Sequence, residues 1–163
     1  MKICVLLHRK SGQILVEAIV AASVLTVGLL GAVALLSRSL SLNRVASDNY
    51  TASYLAAEGI EVAKNIIDHN LIIGLPWNSG FASGDFEADY ASDSLSPYLG
   101  AKIRFNPATN VYGYSGGTQT SFTRLLRVAL VGAEELRINS IVSWSTGQTQ
   151  SSVNLEDRFL NWR

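Results

Sequence analysis

The sequence predicts an α+β protein: a long N-terminal α-helix, membrane-spanning in its first half and amphipathic in its second, packed on an antiparallel β-sheet head. Three observations lead there. Nineteen consecutive residues, Ala18 to Leu36, carry no charge. Apolar residues then recur at helical spacing as far as Ile67, and the last third alternates in the two-residue period of strands.

The first element is a basic leader. Residues 1–12 carry Lys2, Arg9 and Lys10 and no acid, and they hold the single cysteine, Cys4. The formal net charge of the whole chain is zero; without the leader, ten bases face thirteen acids, a net of −3. No global charge argues for a nucleic-acid partner. Without Cys4 the chain has no thiol, and with only His8 and His69 a histidine metal site is not expected.

Residues 13–37 form the second element. At ~1.5 Å rise per residue the uncharged run is long enough for one membrane crossing. The preceding bases place the N-terminus in the cytoplasm and the residues beyond about 38 outside. A secretory signal peptide is the ordinary rival, with Ala32-Val33-Ala34 as a small-residue cleavage site. The run exceeds the ~7–15 residues of such a segment, and Glu17 lies inside it near its start.

The third element, residues 38–163, is the head. Its helix is expected to continue to about His69. Ala52, Leu55, Ala56, Gly59, Val62, Ala63, Ile66 and Ile67 form one apolar stripe, and only Gly59 interrupts good helix formers. Residues 70–100, with Gly74, Pro76, Gly80, Gly84, Pro97 and Gly100, read as a connecting loop with one short strand at Asp85–Tyr90. Over residues 101–160 strands are expected at 102–105, 111–114, 120–131, 136–144 and 149–155. Ile138, Val142 and Trp144 share one face, and Trp144 and Trp162 anchor the last strand. The pairs Glu134-Glu135 and Glu156-Asp157 read as solvated turns.

The most specific signal is the run Arg9-Lys10-Ser11-Gly12-Gln13-Ile14-Leu15-Val16-Glu17. Bases, a glycine, the start of an apolar helix and an acid five residues after that glycine each have a separate physical reason. Glu17 lies one helical turn from Gln13, and an intramembrane acid is a functional suspect by default. Cleavage before Gln13 would create an α-amino group, mostly cationic at neutral pH, as its counter-ion.

This run resembles the signal of type IV prepilins. The resemblance implies a pilin fold, cleavage by prepilin peptidase between Gly12 and Gln13, N-methylation of Gln13, and an assembly salt bridge from Glu17 to a neighbouring subunit. Gln13 departs from the phenylalanine often found there. Further similarity to minor pilins is one of pattern: Pro76-Trp77-Asn78-Ser79-Gly80, Gly84 to Tyr90, Tyr112-Gly113-Tyr114 and Leu160-Asn161-Trp162-Arg163. The cysteine pair of many pilins is lacking. The expected partners are other pilin subunits, the peptidase and, before assembly, membrane lipid. The expected localisation is a single-pass cytoplasmic-membrane precursor, then an extracellular pilus or envelope-spanning fibre.

Function is therefore expected to be structural, as a minor subunit of a type IV pilus. Two alternatives share the signal: a pseudopilin of a type II secretion or DNA-uptake system, and an adhesin whose head binds a ligand. Neither catalytic residues, cofactor nor metal is expected. His69 ends a helix without a triad around it, and no phosphate loop occurs.

Overall fold

The computed structural model describes residues 7–161, with side chains from Gly12 onward. Lys2, Cys4, Trp162 and Arg163, and the side chains of His8, Arg9, Lys10 and Ser11, lie outside the described residues. The order is α1 (Leu7–Ile72), β1 (Gly84–Glu87), β2 (Ser96–Pro97), β3 (Lys102–Asn106), β4 (Val111–Gly113), β5 (Thr118–Val131), β6 (Glu135–Thr146) and β7 (Thr149–Leu160).

The helix is longer at both ends than the expected span from Gln13 to His69. Nothing between Leu7 and Gln13 breaks it, since a lone glycine costs only about 1 kcal/mol in a helix. At the far end, the Leu75 N–H reaches the Asn70 carbonyl at 2.9 Å and the Gly74 N–H reaches that of Leu71 at 3.3 Å. Gly74, at φ 77°, supplies the left-handed residue that this Schellman stop requires, and Pro76 follows.

The chain divides into two compact units between Ser47 and Asp48. In the first unit every described side chain from Gly12 to Ser47 is exposed, including Leu25 at 73% and Leu29 at 68%. The hydroxyls of Ser23, Thr26 and Ser37 donate to carbonyls four residues back at 2.7, 2.7 and 3.0 Å. They are thereby satisfied within the helix, as an apolar medium demands.

In the second unit the remainder of α1 packs on one antiparallel sheet. All eight stripe residues, Ala52 to Ile67, are buried, and Ile60 joins them. β5 organises the sheet. One of its edges pairs with β6 along Thr123–Val131. The other is shared: β3 takes Thr118, Gln119 and Thr123, and β1 takes Leu126 to Val128. β2 extends β1, β4 extends β3, and β7 pairs with β6 from Thr149 to Leu160.

Three sequence expectations need correction. The early strand stops at Glu87 rather than Tyr90, because Asp89 closes a turn in which its carboxylate accepts the Ala91 N–H and the Ser92 hydroxyl. The expected loop contains a second strand, β2. Only Glu134 lies in a turn; Glu135, Glu156 and Asp157 lie in β6 and β7, which run further than expected. Their charge suits the outward row and edge of a sheet as well as a turn. The hairpin itself is tight. Thr146 pairs with Thr149 around Gly147, at φ 64°, and Gln148.

The core falls into two apolar clusters. Ala52, Leu55 and Ala56 meet Ile103, Phe122, Val142 and Trp144. Further along the helix, Ile60 to Ile67 meet Leu126, Val128, Leu136, Ile138, Phe81 and Ala88.

Candidate functional site

The residues of the expected cleavage and assembly signal sit together on α1. Gly12, Gln13, Val16, Glu17, Val20 and Ala21 share one face, with Glu17 a turn beyond Gln13. The Gly12–Gln13 bond is itself helical in this structure. A Cβ at Gly12 would meet nothing within 4 Å. No packing among the described residues therefore asks for glycine at this position.

The second notable constellation was not legible as a motif. Between the two core clusters the inward row of β5 places Arg124, 1% exposed. One guanidinium nitrogen donates to the Leu55 carbonyl at 3.0 Å and to Glu58 Oε1 at 3.1 Å. The other donates to the Ala88 carbonyl at 2.5 Å. The side chain thus ties α1, β5 and the end of β1 where the edge of β5 passes from β3 to β1. A carboxylate partner and two carbonyls offset the cost of burying the charge.

Gly59 makes room for it. A Cβ there would stand 2.5 Å from Ser140 Oγ, 2.8 Å from Leu126 Cδ2 and 3.0 Å from Arg124 Cδ. The glycine read as a helix interruption is a point of close approach to the sheet. Ser140 is fully buried, and its hydroxyl finds no partner among the described residues. The Tyr114 hydroxyl donates to the Arg124 carbonyl at 3.5 Å. Burial pushes its pKa up to about 12, with the Arg124 charge acting in the opposite sense.

Two surface arrangements complete the head. Arg127 grips Asp85 at 2.8 and 2.9 Å; this hydrogen bonding holds the Asp85 carboxyl below its ordinary range. On the outward face of β6 and β7, Arg137 reaches Glu135 at 3.2 Å and Arg158 reaches Glu156 at 3.0 Å, with diagonal contacts of 3.8 and 3.9 Å. Asn139 and then Arg158 lower the Glu156 pKa.

The loop aromatics mostly turn inward. Trp77, Phe81, Phe86 and Leu95 pack on the core, whereas Tyr90 is 62% exposed. Trp77, Phe159, Ile67 and Leu71 form the apolar part of a cleft of about 520 Å³ beside Lys64 and Asp68. Among the described residues no three His, Cys, Asp or Glu side chains come together as a metal site. No family model, curated protein or solved structure matches the chain.

Proposed function

We propose that the chain is a structural pilin-like subunit. It is inserted in a membrane as a precursor, trimmed after Gly12, and assembled into a fibre through its N-terminal helix. One observation carries the reading: a single helix holds an apolar stretch with no buried residue, long enough to cross a membrane, and its continuation buries a stripe against a sheet. Side chains such as Ile14, Leu15, Ile19, Val24 and Leu30 are each more than half exposed. In water that surface would be an aggregation liability, so lipid or neighbouring helices must cover it.

The run from Arg9 to Glu17 gives the reading its specificity, because a lone apolar span would fit any anchored protein. Glu17 would meet the α-amino group that cleavage creates at Gln13, on its own or a neighbouring chain. The inward packing of Trp77, Phe81 and Phe86 favours a scaffold role for the loop over a ligand-binding one.

The test is the mature N-terminus together with the location of the protein. Mass spectrometry of chain from a host with prepilin peptidase should give a terminus at Gln13. Labelled protein should appear on filaments. A terminus near Ser37 would replace this reading with a secreted protein.

A further inference from the structure

A long strand at the margin of a sheet is a template for further strands, and sheets that stay apart carry some device against this. Among the described residues β7, with 12 residues, has one strand partner, β6. The strands at the other margins, β2 and β4, have only 2 and 3 residues.

The ladder fixes which backbone groups of β7 are open. Glu135 pairs with Leu160, and next to them the Asn161 N–H donates to the Glu134 carbonyl at 2.9 Å. In an antiparallel pair the bonded positions alternate. Val153, Leu155, Asp157 and Phe159 therefore bond towards β6. Gln150, Ser152, Asn154, Glu156 and Arg158 turn their N–H and carbonyl groups to the free side.

Asp157 stands where a further strand would be felt. Its side chain belongs to the row that faces the helix, opposite the fully buried Ile138. Val153, Leu155 and Phe159 share that row, and Leu155 is 41% exposed. One carboxylate thus interrupts an otherwise apolar row. It is exposed and has no ion pair among the described residues. Glu156 and Arg158, on the other face, hold each other at 3.0 Å. Asp157 Oδ1 also accepts the Arg158 N–H at 2.8 Å, which is one of the free-side amides.

We propose that Asp157 is an edge lock, which keeps a second copy of the chain from adding its own β7 to this one. The register that overlaps β7 most fully with itself is antiparallel and centred on Leu155. It sets Ser152 of one copy opposite Arg158 of the other, and Val153 opposite Asp157. An arriving strand would have to displace the carboxylate from the Arg158 amide. It would also have to dehydrate that carboxylate against valine, with no cation offered in return. Apart from Asp157 the register is favourable: Leu155 meets its own copy, and no like charges stand opposite one another.

The test uses the full-length chain, one copy per nanodisc, and needs no fibre. Sedimentation should show the wild type as single discs. Asp157→Val, which leaves the row through Val153, Leu155 and Phe159 unbroken, should pair discs at least about tenfold more tightly. Adding Ser152→Pro, which removes a free-side N–H without touching the β6 ladder, should return the discs to single. Melting curves check folding, and Asp157→Thr, a smaller change in polarity, keeps the test if the valine variant misfolds. Folded variants that stay as single as wild type, or pairing that survives Ser152→Pro, overturn the lock.

Discussion

Gly59 and Ser140 face each other where helix and sheet come close: a Cβ on Gly59 would lie 2.5 Å from the Ser140 hydroxyl oxygen. Alanine at an exposed helix position would gain about 1 kcal/mol over glycine. Here it meets a fully buried serine and the Leu126 side chain as well. Overpacking of this kind typically costs about 1–3 kcal/mol. Gly59→Ala should therefore lower the urea midpoint, whereas Gly28→Ala, with open space around it, should not. Equal behaviour of the two variants would contradict the close approach.

Arg124 and Glu58 should respond unequally to truncation. Arg124→Ala removes a fully buried side chain, opens a cavity and orphans the Ala88 carbonyl. Glu58 is 20% exposed, so solvent can reach the site that Glu58→Ala vacates. The arginine change should cost about 2–5 kcal/mol through its cavity and unpaired carbonyl, and the glutamate change clearly less, because water and two carbonyls still serve the guanidinium. Arg124→Met, which keeps volume without charge, should recover part of the loss. Unfolding free energies of the three variants check the order.

Tyr114 sets an alkaline limit. Its folded pKa is raised to about 12, against about 10 in an unfolded chain. The unfolded state therefore loses its proton first. The stabilising contribution is whole below pH 10 and is lost as pH rises through 12, by up to about 3 kcal/mol. Tyr114→Phe should flatten the stability profile in that window; an unchanged slope would contradict the burial argument.

Glu17 tests the assembly reading. Glu17→Gln keeps shape while removing charge, so membrane insertion and cleavage after Gly12 should persist. Incorporation into filaments should fall by about two to three orders of magnitude, from the ~3–5 kcal/mol cost of an uncompensated buried amine. Sheared filaments assayed against a membrane fraction give the number, and wild-type incorporation would sink the pairing.

The helix and most strands were readable because each follows one period. The stripe from Ala52 to Ile67 and the alternation through Ile138, Val142 and Trp144 are buried as spacing implied. Arg124 escaped notice because a strand arginine is taken as a surface residue. Its place on the row Phe122–Arg124–Leu126–Val128 was the available signal. β2 was unreadable for another reason: two residues carry no period, and its pairing with β1 is set by tertiary contact. The exposure of the face bearing Gly12, Gln13 and Glu17 adds nothing to what their spacing said, because the cleavage and assembly proposed for them leave no mark on the fold of a single chain.

The shared edge of β5 has a consequence for the order of folding. α1 and the first four strands precede β5 in the chain, yet the helix stripe, β1 and β3 all depend on it for partners. During synthesis the apolar helix stripe is finished about fifty residues before β5 gives it a surface. Domains assembled from such distant contacts are slow to close and prone to aggregate meanwhile. A span already held in the membrane would keep the waiting stripe away from other nascent chains. A chain stopped just before Thr118 should remain sensitive to protease, and one completed through Leu160 should resist it; resistance in the shorter chain would refute this order.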